Sequence, residues 1–394
     1  MKTSVFLYPW DVVGDPAAPA RIADLGVRQV TLAAAYHSTR ALTPRHPRHR
    51  VVTAEYAAVL YPPDPARWAG HPVRPHPAGD WAPGDAYGEA AESLAAAGLD
   101  VHSWVVLAHS SRLGAEHPDT SVVNAYGDRY PWAPCVARPA VAAYLVELAA
   151  EAAVRPGASG VELESCGWYG FAHLHAHDKT GGAALGDAAQ YLMSLCFCAV
   201  CRAGYAGLGG DPDQLADTVR RALAPGWATG STEAGWTAVE KLLGADLAAL
   251  AADWRGGVAR TLQEAAVAAV RAEARPGFQV LLHADPAAYR TGANAGVDPA
   301  HILRVADGVV LPCSAGAAEA MLGPFADHRD DTSVLAANLG VVRGMGGDPG
   351  GLAGNAARAK ALGATELRLY HAGLASDADL AAVGSALREV SRLG

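Results

Sequence analysis

Residues 160–165 read GVELES, and this short stretch decides how the rest of the chain is interpreted. Alternation along a β-strand would place Val161 and Leu163 on one face and Glu162 and Glu164 on the other. Two carboxylates on an otherwise apolar strand are costly unless they are paired or used chemically. The stretch therefore predicts a strand that ends at a functional site, with Glu164 as the first candidate for a general acid or base.

Similar short apolar runs recur along the whole chain, with Ala- and Leu-rich helical stretches between them. We predict eight strands, near residues 4–8, 28–34, 101–107, 160–164, 278–283, 308–312, 333–337 and 366–370. We predict helices over 86–97, 138–153, 238–274, 351–362 and 376–392. Eight alternating units favour a (β/α)8 TIM barrel. An open doubly wound sheet is the alternative, but no Gly-rich phosphate turn follows the first strand.

The connections predict one TIM-barrel domain over residues 1–394 with long insertions after strands two and four. The first insertion, 35–85, is a loop, and the second, 166–277, is a helical region rich in Cys and His. Both are too long for simple barrel turns. In a TIM barrel the segments that follow the strands surround the active-site face, so we expect function to concentrate there.

The composition limits the possible partners. The 394 residues carry a net charge of −9, which argues against nucleic acid or an anionic membrane as the main partner. No apolar stretch approaches the roughly 18 residues that a membrane span needs. Pro9, Trp10 and Asp11 interrupt the apolar start of the chain, which suits a first barrel strand better than a signal peptide. We expect a cytoplasmic protein, and an oligomer is possible.

The run CFCAVC at 196–201 places three cysteines in a C-x-C-x2-C pattern. Thiolates at this spacing can occupy three corners of a tetrahedral Zn²⁺ site, and a structural zinc is expected if a fourth ligand closes it. The candidates for that ligand are Cys135, Cys166, His173 and His177. The alternative is three reduced cysteines at the start of a packed helix.

The order of Cys135, Glu164 and the C-x-C-x2-C run resembles the zinc-bearing β-galactosidases of glycoside hydrolase family 42. It is also similar to uncharacterised glycosidase-like barrels that carry CFC-x2-C after strand four. The motifs span residues 130–202. The resemblance implies that Glu164 is the catalytic acid/base. It also implies four zinc ligands, namely Cys135, Cys196, Cys198 and Cys201.

The chain departs from that family at two positions. The family's nucleophilic glutamate stands at the end of strand seven, where this chain reads SVLAANLG and offers Asn338. The family's acid/base glutamate follows an asparagine, whereas Leu163 precedes Glu164 here. Both departures put a retaining mechanism with a strand-seven nucleophile in question.

Glycosidases of both stereochemical classes use two carboxyl groups, so a second one is needed. Asp285, just past strand five, is the best candidate, and Asp11 is the next. An equally ordinary use of Asp285 is to close the turn before Pro286. Glu162 lies one layer deeper than Glu164, and we expect it to form an internal ion pair with Arg368.

Aromatic and polar side chains gather at the predicted strand ends. Because sugar rings pack their C–H faces on aromatic planes, this pattern suits a carbohydrate site. The predicted substrate-binding residues are Tyr8, Trp10, Tyr36, His37, His109, His173, His175, His283, Asn338 and Tyr370. The three alternate histidines, His173, His175 and His177, could contact substrate, bind a metal, or lie in a solvated loop.

Three functions follow from these residues. The first is a glycoside hydrolase that acts on a small glycoside or oligosaccharide, with Glu164 and Asp285 as its catalytic pair. The second is a metal-dependent sugar isomerase or epimerase with a cation between Glu164, Asp285 and His283. The third is a catalytically silent barrel that binds a saccharide or a protein.

Overall fold

The centre of the protein is a closed barrel of eight parallel strands, seen in a computed structural model that describes residues 1–172 and 178–392. The strands are β1 Lys2–Leu7, β2 Gln29–Tyr36, β3 Asp100–Val106, β4 Ala158–Glu164, β5 Gln279–Asp285, β6 Gly308–Pro312, β7 Val334–Gly340 and β8 Glu366–Tyr370. Each strand pairs with its neighbours in chain order, and β8 pairs with β1, so the sheet closes. The predicted (β/α)8 TIM barrel is confirmed.

Helices surround the barrel and fill the longer connections. They are α1 Ala18–Ala23, α2 Ala86–Ala96, α3 Ser111–Glu116, α4 Pro139–Ala153, α5 Asp187–Met193, α6 Ala199–Gly207, α7 Pro212–Thr229, α8 Trp236–Leu243, α9 Ala245–Glu273, α10 Pro299–Val305, α11 Ala318–Ala326, α12 Leu352–Ala361 and α13 Asp377–Arg392. None of these described helices is long and apolar enough to cross a membrane.

The helix predicted over 238–274 is interrupted. Gly244 adopts φ of +81°, a conformation that ends one helix and starts the next, so α8 stops at Leu243 and α9 begins at Ala245. The long α9 packs against α4, its neighbour on the outside of the barrel. The sequence pattern missed the break because the apolar periodicity continues on both sides of it.

Three connections extend above the C-terminal ends of the strands. The segment after β2 carries an antiparallel hairpin, Thr39–Leu42 with Val51–Ala54, and the segment after β4 carries helices α5 to α9. The segment after β3 carries a second hairpin, Ser121–Val123 with Arg129–Pro134, which the sequence did not predict. Pro and Gly interrupt this segment, so its sequence lacks the continuous pattern that predicts a strand.

The barrel interior is built in layers. Leu281, Val310, Val334 and Ala336 form a small apolar cluster inside it. A layer of buried polar side chains centres on Glu162. Glu164, two residues further along the same strand, belongs to the layer closest to the C-terminal face.

Candidate active site

The C-terminal face of the barrel opens into a cavity of about 1370 Å³. It lies where TIM-barrel enzymes carry their active sites. Six of the side chains predicted to form the site line this cavity, namely Tyr8, Tyr36, His37, His109, Glu164 and Tyr370. Residues that were predicted because they lie at strand ends therefore line one cavity, although they are far apart in sequence.

Glu164 ends β4 at the floor of the cavity, and its side chain is 7% exposed. Nε1 of Trp104, an inward-facing residue of β3, donates a hydrogen bond of 2.7 Å to Oε2 of Glu164. The next residue, Ser165, has φ of +54°, and its backbone N–H donates to the carbonyl of Ala293. A non-glycine residue in this region is strained, and such strain is frequent beside functional groups. Trp104 thus holds the carboxyl group, while the bond to Ala293 holds the backbone that follows it.

Three tyrosines surround Glu164. The hydroxyl of Tyr8 donates to the hydroxyl of Tyr36 at 3.1 Å, and the ring of Tyr370 lies on the same floor. Burial, reinforced by the neighbouring acidic and phenolic groups, raises the pKa of Tyr8 and of Tyr36 well above the ordinary value. These phenols therefore stay protonated near neutral pH, and because the Tyr8 proton goes to Tyr36, Tyr36 is the member of this pair that can donate to a bound ligand.

Aromatic rings continue from the floor up one wall. The ring centroids of Tyr36 and His37 are 4.2 Å apart, and those of His37 and His109 are 4.8 Å apart. His109 in turn stacks on Tyr169 at 4.5 Å with an interplanar angle of 7°. Burial lowers the pKa of His37 below its ordinary value, so this ring is neutral at pH 7. The wall offers flat apolar faces together with ring nitrogens.

Asp285 ends β5, beside β4, but its carboxylate has local partners. Oδ1 accepts a hydrogen bond of 2.8 Å from the backbone N–H of Ala287, and Oδ2 lies 3.8 Å from Nε of Arg290. Burial raises the pKa of Asp285. Asp285 is not among the described residues that line the cavity. The turn role that the sequence allowed is therefore present, and a catalytic role for Asp285 stays a prediction.

Two other aspartates lie near the same face. Asp379, at the start of α13, lines the cavity and is paired with Arg343 at 2.7 Å. Asp11 accepts the backbone N–H of Tyr8 at 2.8 Å, and burial raises its pKa to about 7. It lies beneath Gly373, at a small separate cavity rather than at the main one.

Glu162 forms the centre of the polar layer beneath the floor. Its Oε1 lies 2.5 Å from Nε of Arg368, and both side chains are 0% exposed. Thr31 donates to the same oxygen at 3.0 Å, while His102 and His283 approach at 3.7 and 3.5 Å. Burial alone would raise the pKa of Glu162, but the charge of Arg368 holds it well below the ordinary value. The internal ion pair predicted from the sequence is confirmed.

The remaining predicted residues lie elsewhere or outside the described chain. His283 faces Glu162, one layer below the cavity floor. Trp10 is buried and lines a separate groove, and Asn338 is not among the described residues that line the main cavity. His173, His175 and His177 fall outside the described residues.

Four buried cysteines form a cluster between the second hairpin and α6. They are Cys135, Cys196, Cys198 and Cys201. Sγ of Cys135 lies 3.7 Å from Sγ of Cys196, 3.7 Å from that of Cys198 and 3.6 Å from that of Cys201. Disulfides are about 2 Å long, whereas two thiolates on one tetrahedral ion at about 2.3 Å stand roughly 3.8 Å apart. The donor set fits a single metal ion.

The cluster joins two segments that are distant in sequence. The backbone N–H of Val123 points to Sγ of Cys196 at 3.5 Å, and the N–H of Phe197 donates to the carbonyl of Val123 at 2.7 Å. Of the candidates for the fourth ligand, Cys135 completes the group, while Cys166 does not belong to it. Within residues 1–172 and 178–392, this is the one group of His, Cys, Asp and Glu able to hold a metal ion.

Sequence reasoning missed two residues of the site. Trp104 was placed on a strand but not singled out, although it alternates with His102 on the inner face of β3. Counting inward positions from the predicted strand would have found it. Asp379 gave no such signal, since it lies within a helix and reaches the cavity only through the β8–α13 connection.

Known structures share this architecture. The sequence matches no protein-family model and no curated protein. The fold, however, aligns over 99% of the chain with 98% of the PgaB (BpsB) glycoside hydrolase domain from Bordetella bronchiseptica, at a TM-score of 0.58 and 16% identity. The chain has the barrel fold of glycoside hydrolases.

Two further structures support that statement. The catalytic domain of β-amylase from Paenibacillus polymyxa aligns over 100% of this chain and 98% of its own length, with a TM-score of 0.56 and 12% identity. The family 42 β-galactosidase Gan42B from G. stearothermophilus gives a TM-score of 0.56 at 10% identity. This chain spans 56% of that β-galactosidase and 49% of an α-L-fucosidase from Paenibacillus thiaminolyticus. At these identities the likeness concerns the fold.

Proposed function

We propose that this protein hydrolyses a glycosidic bond, with Glu164 as the general acid/base. The observation that carries the proposal is the position of Glu164, a buried carboxyl group at the end of β4 that is fixed by Trp104 and faces a large cavity. A carboxyl group in this setting can protonate a leaving oxygen and then activate water. The glycoside hydrolase fold of the structural neighbours agrees with this role.

The surrounding residues would bind and orient the sugar. Tyr8, Tyr36 and Tyr370 would contact one sugar ring on the floor, where the neutral Tyr36 phenol can donate to a sugar hydroxyl while it accepts from Tyr8. His37 and His109, on the aromatic wall, would contact the same ring or the next one. The substrate is then a small glycoside or an oligosaccharide.

The second carboxyl group is assigned from strand position. Asp285 ends the strand next to β4, and burial raises its pKa, which suits a group that takes up a proton. Asp379 competes for the role because it lines the cavity, although Arg343 neutralises it. Comparing Asp285→Asn with Asp379→Asn decides between them, since the true partner should lose activity as severely as a Glu164 variant.

The test of the main proposal is Glu164→Gln, assayed on a panel of methyl glycosides, whose poor leaving group needs a general acid. We expect a loss of about 10²- to 10⁴-fold in kcat/KM, because general acid–base catalysis contributes rate factors of that size. Glu116→Gln, which changes an exposed carboxylate away from the cavity, is the matched control. Activity that survives in Glu164→Gln would refute the assignment.

A second candidate function is a silent saccharide-binding barrel. It is favoured by one observation, the presence of only two carboxylates, Glu164 and the neutralised Asp379, among the described residues that line the cavity. Wild-type protein that binds glycosides calorimetrically but cleaves none of them would support this reading. The isomerase gains no support, because His283 faces Glu162 and Asp285 is held by Ala287.

We also propose that the four-cysteine cluster binds a structural Zn²⁺. Four thiolates leave no open coordination position for a substrate, and this is typical of structural zinc sites. The ion would join the hairpin at 121–134 to the start of α6 and so support the wall of the barrel mouth.

A further inference from the structure

The cavity above Glu164 has a buried floor and an exposed rim, and the two differ in chemistry. The floor carries the three tyrosines and Glu164. The rim carries Leu42 and Met345, which are 62% and 58% exposed and both line the cavity. These are two of the six large hydrophobic side chains that the described surface exposes in this way. Their presence at one cavity mouth needs an explanation.

The two residues reach the rim from different parts of the fold. Leu42 ends the first strand of the hairpin after β2, and Met345 ends the short 3-10 turn Arg343–Met345 after β7. Other aliphatic side chains accompany them along the cavity, namely Pro44, Leu185, Val342 and Leu374.

The apolar surface also extends beyond the cavity. Val51 stands directly opposite Leu42 in the hairpin register, so both side chains lie on one face of it, and Val51 is 52% exposed. Val51 lines a neighbouring groove of about 510 Å³ that also includes Trp10 and Trp81. An aliphatic path therefore runs from the cavity over the hairpin. Contiguous exposed apolar surface is unusual on a soluble protein and marks ligand or partner sites.

We propose that this rim binds an apolar aglycone, so that the substrates are hydrophobic glycosides such as alkyl or lipid glycosides. The inference rests on the proposed function, because a sugar on the floor beside Glu164 would direct its leaving group outward to the rim. Leu42 and Met345 offer the hydroxyl groups of a second sugar no hydrogen-bond partner, whereas an apolar aglycone would cover part of their exposed surface. The charged groups on the rim do not oppose an alkyl chain, since Arg40 is exposed to water and Arg343 is paired with Asp379.

The test uses matched methyl and octyl glycosides of galactose, glucose, fucose and N-acetylglucosamine, below their micelle concentrations. Binding is measured by calorimetry and hydrolysis by sugar release. Full burial of a methylene is worth about fourfold in affinity, and the half-exposed rim should give less for each of the seven added methylenes. We expect the octyl glycoside to bind at least about tenfold more tightly than the methyl glycoside of the same sugar. Wherever hydrolysis occurs, the octyl glycoside should also have the higher kcat/KM.

Leu42→Ser and Met345→Ser should each lower the octyl-to-methyl affinity ratio by about threefold or more. Leu208→Ser is the matched control, because Leu208 is 53% exposed but does not line the cavity. An octyl-to-methyl ratio within twofold of unity, or a ratio that neither rim variant changes, would overturn the inference. Tighter binding of the octyl glycosides without hydrolysis would support an apolar aglycone site at the rim and refute the proposed hydrolase. The failure of this inference and the failure of the proposed function can therefore be distinguished.

Discussion

Nε1 of Trp104 donates a 2.7 Å hydrogen bond to Oε2 of Glu164, although the two residues are 60 positions apart in the chain. Both side chains are buried, at 1% and 7% exposure. The bond occupies one carboxyl oxygen, which leaves Oε1 as the atom that carries or accepts a proton. Trp104 is therefore a positioning residue for the proposed acid/base.

We expect Trp104→Phe to lower kcat by about 10- to 100-fold with a small change in KM. Hydrogen bonds to charged groups are worth about 1.5 to 3 kcal/mol, and without this donor the carboxyl group is no longer held in its orientation toward the cavity. Steady-state kinetics of the purified variant give kcat and KM separately and so measure both effects.

Phe6→Leu is the control for packing around Trp104. Phe6 is fully buried, and its ring contacts that of Trp104 edge-on at 4.8 Å, but it makes no hydrogen bond to Glu164. If Phe6→Leu lowered kcat as far as Trp104→Phe does, the effect would come from packing and not from the hydrogen bond.

The cysteine cluster predicts one equivalent of zinc for each chain. Elemental analysis of protein purified without chelator should find it, and Cys198→Ser should lose it. We expect that variant to be less stable by about 3 to 5 kcal/mol, a fraction of the 10 to 16 kcal/mol that zinc binding supplies in small zinc peptides. Urea unfolding with and without a chelator is the measurement.

Cys313→Ser serves as the matched control for the zinc prediction. Cys313 is also buried, but it lies at the end of β6 and outside the four-cysteine group. Equal zinc content and equal destabilisation in the two variants would contradict a metal site at the cluster.

The buried pair of Glu162 and Arg368 should be strongly coupled. Glu162→Gln leaves the Arg368 charge with Glu366 as its remaining partner, at 2.8 Å, and breaking a buried pair costs about 3 to 5 kcal/mol. The double variant Glu162→Gln/Arg368→Met should cost less than the sum of the two single variants. Additive losses in a double-mutant cycle would argue against the pairing.

The same pair contributes to acid stability. Because the folded-state pKa of Glu162 is depressed, its contribution is present above the unfolded value of about 4.3 and is lost as the pH falls below it. The wild-type protein should therefore lose more stability between pH 5 and 3 than the double variant does.

Asp11 should give the opposite pH dependence. Burial raises its folded-state pKa to about 7, above the unfolded value of about 3.9, so ionisation opposes folding as the pH rises through this interval. Asp11→Asn should gain stability relative to the wild type from about pH 4 to 8, by at most about 4 kcal/mol. Denaturant titrations at several pH values measure this, and the exposed Asp24→Asn should show no such trend.

Much of the barrel could be predicted because local sequence carries it. All eight strands are short apolar runs, and a helical stretch or longer connection separates each run from the next. Eight repeats of strand and helix favour a closed barrel. Glu164 could be placed for the same reason, since strand alternation fixes which side chains face the axis. The break at Gly244 and the hairpin at 121–134 were missed because their signals are single residues within longer patterns.

The candidate site was only partly predictable. Position at a strand end placed Tyr8, Tyr36 and Tyr370 around one cavity. The same rule pointed to Asp285, where a turn at Ala287 and the charge of Arg290 hold the carboxylate locally. A one-dimensional pattern gives the end of a strand but not the rotamer or the partner of the side chain there.

The sequence by itself determined the barrel, the inward direction of Glu162 and Glu164, and three of the four clustered cysteines, because each depends on spacings of a few residues. Only the tertiary structure decided that Trp104 holds Glu164, that Cys135, the ligand implied by the family resemblance, completes the cluster, and that Leu42 and Met345 line one cavity. Those relationships join segments 60 or more residues apart. They depend on how barrel closure and loop packing place side chains in space, and no local period encodes that placement.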